Sequence, residues 1–209
     1  MLRPYAVAGF NVPALDAHRR SLQLPSFSNQ GTTMLIASLL LLQAATMAPP
    51  AAASKSPVAD ALRQMETRYA RILVAAAEAM PPEKYNYRPT PAQMSFAAIQ
   101  VHLINEGNDL LCGKVAGMAP PTRTAIDSTA GKDALVARLK ESFAFCEQAF
   151  AKLDDSNLSA PIQLFGPNPF SMASAMMITV GDWADHYSQE ANYLRLNGVL
   201  PPTARPRTP

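Results

Sequence analysis

The chain has 209 residues, 48% of them hydrophobic, with a formal net charge of +2, which is enough apolar material for one well-buried core. Its 18 Lys and Arg against 16 Asp and Glu are scattered, several arginines lying in the termini, so no basic stripe exists for nucleic acid and that partner class is excluded. Alanine and methionine are plentiful, glycine is scarce, and β-branched alternation is nowhere sustained, which predicts an all-α fold.

The first element is a leader, residues 1–54. Its apolar run, residues 34–43, is too short to span a bilayer as a mature helix, and small residues follow through Ala51, Ala52 and Ala53. It reads as a signal-peptide core and cleavage site, with His18, Arg19 and Arg20 as the upstream charges. A leader with a short buried helix is the alternative. The first reading sends the protein to the periplasm or outside the cell, and the second leaves it in the cytoplasm.

Four helices follow in residues 55–202. The first runs from about Pro57, suited to a first turn, to Met80, where Pro81 and Pro82 stop it. Leu62, Met65, Tyr69, Ile72 and Leu73 recur on it at helical spacing. The second starts near Gln93 to Ser95 and reaches about Val115, with Phe96, Ile99, Leu103 and Leu110 as its stripe. The third begins after Gly131 and reaches about Leu153, with Leu135, Leu139, Phe143, Cys146 and Phe150 on one side. The fourth is capped by Ser171 and ends at Asn197 and Gly198, ahead of Pro201 and Pro202. Together they predict a four-helix bundle followed by a disordered tail, 203–209. Cys112 and Cys146 form an even pair, which in an exported chain points to a disulfide between two helices, with two buried thiols as the alternative.

On a helical wheel the fourth helix places Met172, Ala175, Thr179, Asp182, His186 and Tyr193 on one stripe, flanked by Ile178, Trp183 and Leu196. Asp182 and His186, at i and i+4, therefore share a face with Cβ atoms about 5–6 Å apart. An inward carboxylate needs a partner or a metal, so either a self-satisfied Asp–His pair or a metal site accounts for it. His102 on the second helix is the candidate third ligand, and Glu106 and Glu190 are extra ligands, supporting groups or proton acceptors. Two imidazoles and a carboxylate suit Zn²⁺, Ni²⁺, Mn²⁺ or Fe²⁺.

The segment Tyr85-Asn86-Tyr87-Arg88-Pro89-Thr90-Pro91-Ala92-Gln93-Met94-Ser95-Phe96, followed by Ile99 and His102, resembles the second-helix start of the DinB-like (YfiT-like) metalloenzyme family. The run from His186 to Pro202, with Tyr193-Leu194-Arg195-Leu196-Asn197-Gly198, is similar to that family's last helix ending. The match covers about 57–202. It implies a four-helix bundle, commonly a homodimer, holding a divalent metal between helices by three histidines. Some related proteins use such a site to activate a small thiol for transfer or isomerisation. His102 matches the second-helix ligand and His186 the last one. The third histidine falls where this chain has Asp182, a change that favours harder ions or records a lost site. The expected activity is a metal-dependent transferase or hydrolase acting on a small molecule. The competing expectation is a non-catalytic, exported ligand-binding or stress-response bundle with a degenerate site.

Overall fold

A computed structural model describes residues 54–206, so the apolar run at 34–43 and its cleavage site lie outside the described residues. Helix α1 spans Pro57–Ala79, with Pro57 in the first turn and an extended Met80 leading into the proline pair. Its leading N–H groups have no partner within the helix. Those of Val58 and Ala59 donate to the two carboxylate oxygens of Asp155, each at 2.9 Å, from a segment almost a hundred residues away. Leu62, Ile72 and Leu73 are buried, whereas Met65 is 40% exposed. The inward stripe passes through Glu66 instead, a correction to the expected set.

The second rod is less regular than its sequence suggests. Ser95 caps α2 (Phe96–His102), its Oγ accepting from the Ala98 N–H at 3.2 Å. A π-helical stretch, Leu103–Leu110, then leads into α3 (Leu111–Ala116), which Gly117 ends in the left-handed region at φ 63°. Wider i→i+5 bonding adds a residue to the turn and rotates the side chains downstream about the axis. A periodicity reading assumes 3.6 residues per turn and therefore misses this change.

Helix α4 (Lys132–Phe150) buries all five apolar residues assigned to its inner side. Two-residue strands, β1 (Pro161–Ile162) and β2 (Phe170–Ser171), pair antiparallel ahead of α5 (Met172–Leu196). Ser171 caps α5 by accepting from the Ser174 N–H at 3.1 Å. Within α5, Trp183 is a fully buried centre of the inner face, not a flank, while Leu196 is 62% exposed, the reverse of its expected setting. At Thr203, where the expected tail begins, the chain is tied back to α5. A 3-10 turn, Pro202–Ala204, follows α5, and the Tyr187 hydroxyl both donates to Thr203 Oγ1 at 2.8 Å and accepts from its N–H at 3.1 Å.

The rod made of α2, the π stretch and α3 packs with α1, α4 and α5 as an all-α four-helix bundle. Trp183 is at its centre, with ring centroids of Tyr69, Phe143 and Phe150 at 6.1, 5.9 and 6.2 Å. No helix among the described residues is long and apolar enough to cross a membrane.

Cys112 of α3 and Cys146 of α4 form a disulfide across a sequence separation of 34 residues. Restricting the unfolded chain over a loop of that length contributes about 3–4 kcal/mol. Reduction is therefore expected to lower the urea midpoint by that equivalent, and the native protein should titrate no thiols before it. Two thiols reacting in the non-reduced native state would contradict the bridge.

Candidate metal centre

His102 is the last residue of α2, and Asp182 and His186 are one turn apart on α5. Asp182 Oδ1 lies 3.1 Å from His102 Nε2 and 3.5 Å from His186 Nε2. The imidazole centroids are 4.4 Å apart. One donor atom from each of the three residues falls within 4.8 Å of the others. Ligands around a tetrahedral ion with bonds of about 2.0–2.1 Å stand roughly 3.3–3.4 Å from one another, so the Asp–His separations already match a first coordination shell.

The side chains grade from rim to interior: His102 is 30% exposed, Asp182 18% and His186 9%. Solvent thus reaches the trio from the His102 side. Burial would raise the Asp182 carboxyl, but hydrogen bonds from both imidazoles and their charges outweigh it and hold the group down to about 2. The same Asp182 bond raises His102, against partial desolvation and with help from the charges of Asp182, Glu106 and Asp185. This gives a carboxylate that stays ionised between two nitrogen donors. Asp182 Oδ2 and His186 Nδ1 are buried without a hydrogen-bond partner, so the internal hydrogen bonds do not satisfy the cluster completely.

Glu106, on the π stretch, is 54% exposed and faces His102 from the other side, its Oε2 3.5 Å from Nδ1. It stands at the rim, where it can accept a proton from solvent-side chemistry or orient the ring. Glu190 is elsewhere: fully buried, outside the trio, and bonded to the Nε2 donor of Gln100. Burial pushes its carboxyl up to about 8 in spite of that bond. A protonated carboxyl is a very weak base and this one is sealed from solvent, so the setting does not suit the proton acceptor read from the sequence.

Two further residues matter that the sequence reading did not single out: Gln100, the partner of Glu190, and Gly107, which faces Asp182. Gln100 follows Phe96 by one turn on the α2 stripe, so its spacing already marked it as an inward polar group. Gly107 is an isolated glycine inside a helical pattern, where it costs helix stability and so asks for a packing reason. Its contact with Asp182 depends on the π stretch, which nothing in the pattern announces.

The DinB superfamily profile matches residues 64–190. Among solved structures, a DinB-like protein from Bacillus cereus is 13% identical with a TM-score of 0.57, the match covering 68% of this chain and 95% of that one. A DinB-like protein from Bacillus subtilis is 18% identical with a TM-score of 0.55, over 71% and 99% of the two chains. A conserved protein from Enterococcus faecalis gives 18% and 0.55, over 69% and 98%. At these identities the likeness speaks for the shared fold. No curated protein matches the chain.

Proposed function

This chain belongs to the DinB superfamily, and from that premise we propose that His102, Asp182 and His186 hold a divalent cation for a transferase or hydrolase reaction on a small molecule. The observation that carries the reading is the single oxygen, Asp182 Oδ1, set at 3.1 and 3.5 Å from two imidazole nitrogens. The partnerless Oδ2 and His186 Nδ1 and the mixed N/O donor set fit such an ion, and the carboxylate favours harder members of the series Mn²⁺, Fe²⁺, Zn²⁺ and Ni²⁺. When bound, the cation supplies Lewis acidity and lowers the pKa of a water or thiol brought to it.

The chain's own groups do the rest. Both histidines turn Nε2 to the shared point, and Asp182 offsets part of the charge gathered there. Glu106 backs the Nδ1 side of His102, an arrangement that fixes a ring's tautomer, and its exposure lets it take a proton from a reacting group. Glu190, neutral and sealed with Gln100, supplies no base. The Cys112–Cys146 disulfide supports an oxidising compartment, in line with the exported location read from the leader.

Metal analysis of the purified protein tests the proposal directly. Stoichiometric cation is expected, with a rise in Tm on its addition, and His186→Ala and Asp182→Ala should each weaken binding at least tenfold. Full occupancy retained in both variants would refute the ligand set. The second reading, a non-catalytic bundle, is favoured by the hydrogen bond between His102 Nε2 and Asp182 Oδ1, which by itself satisfies part of the inward carboxylate. It wins if none of the four cations binds or shifts Tm.

A further inference from the structure

Gly107 sits in the π stretch directly against α5. A Cβ placed on it would lie 2.6 Å from Asp182 Oδ2, while the next atoms, Asp182 Cγ and Leu103 Cδ2, are at 3.7 Å, an ordinary contact distance. The obstruction is therefore one oxygen of one side chain. Glycine is the poorest helix former after proline, so helix formation does not account for it here. Asp182 Oδ2 is buried and has no hydrogen-bond partner, whereas Oδ1 takes both imidazoles.

We propose that Gly107 is a positioning residue for the metal centre: the notch left by its missing side chain houses Asp182 Oδ2 and thereby keeps Oδ1 between His102 Nε2 and His186 Nε2. The two oxygens of a carboxylate are rigidly linked, so fixing one fixes the other. The π stretch is the part of the rod that brings residue 107 to this spot, which fits the tendency of such stretches to occur at functional sites. A methyl group at 107 forces the carboxylate to turn. The fold tolerates that rotation, because the displaced atom is the end of a side chain, but the arrangement of three donors does not survive it. The consequence for cation binding rests on the function proposed above; the notch itself does not.

The test compares wild type, Gly107→Ala, Asp182→Ala and the double variant by Co²⁺ titration, by the ring ¹⁵N shifts of His102 and His186 in metal-free protein, and by Tm. Gly107→Ala should weaken Co²⁺ at least tenfold and move the metal-free ring shifts. In the Asp182→Ala background the same substitution should alter neither further and should leave Tm level or raise it, since alanine then only improves the helix. Affinity within twofold of wild type together with unmoved ring shifts would overturn the proposal. An equal loss of Tm in both backgrounds would do the same, because the obstacle would not be Asp182. If wild type binds no Co²⁺, the ring shifts of the metal-free protein alone decide the notch. If Gly107→Ala does not fold, recovery on adding Asp182→Ala supports the notch and lack of recovery sinks it.

Discussion

Glu190→Gln is expected to flatten the pH dependence of stability and to raise stability at pH 8. In the native protein Gln100 Nε2 donates to Glu190 Oε1, while Gln100 Oε1 and Glu190 Oε2 are buried without partners. A protonated Glu190 resolves this, since its O–H can donate to Gln100 Oε1. That agrees with a carboxyl pushed by burial from 4.5 up to about 8. Because the native state keeps a proton that the unfolded chain loses above pH 4.5, this contribution is fully present below that pH. It falls by about 1.4 kcal/mol per pH unit until about pH 8, several kcal/mol in all. Glu66, pushed by burial and by the Glu147 charge to about 7, acts with the same sign over the lower part of the window. Asp182, held near 2, acts oppositely: its contribution is present above its ordinary pKa of 3.8 and lost below it. Wild type should therefore be most stable near pH 4–5. In Glu190→Gln the new amide replaces the acid O–H as donor without titrating. Urea unfolding at pH 5, 6.5 and 8 should give a slope shallower by one proton. An unchanged slope would show that Glu190 is ionised in the native protein at neutral pH.

Trp183→Ala is expected to be the most damaging single change in the core, at about 3–5 kcal/mol for the lost burial and the cavity. Trp183 is fully buried among Tyr69, Phe143 and Phe150. Its Nε1 also donates to Asn108 Oδ1 at 2.8 Å, and Asn108 Nδ2 donates to Ser142 Oγ at 2.8 Å. Removing the indole strands the Asn108 carbonyl in the interior, which adds roughly 1–3 kcal/mol. Trp183→Phe should fall between wild type and the alanine variant, because it restores most of the volume but not the donor. The shift in denaturant midpoint at constant m-value measures both. Equal stability of the Phe variant and wild type would mean that the Asn108 bond contributes nothing. As neighbour to Asp182 on α5, Trp183 also anchors the segment carrying two of the three proposed ligands.

The helices on either side of the centre were legible because their apolar residues repeat at helical spacing and their ends carry recognisable signals. Pro57, Ser95, Ser171 and Gly198 all do locally what their types suggest. Asp182 and His186 could be paired from sequence because an α-helix fixes the relation between i and i+4. Met65 and Leu196 were misplaced because a stripe shows which residues share a face, not how far that face turns toward its neighbours.

The local part follows from the residues alone: four helices, the Ser95 and Ser171 caps, the all-α class and one Asp–His turn. The tertiary structure decided everything that depends on distance across the chain. It brought His102 to Asp182, joined Cys112 to Cys146, capped α1 with Asp155, separated Glu190 from the donor trio and set Gly107 against Asp182 Oδ2. Helical periodicity and caps such as Ser95 and Ser171 are set by hydrogen bonds and side chains a few residues apart. Burial, ionisation and ligand geometry are set instead by what the other helices place alongside.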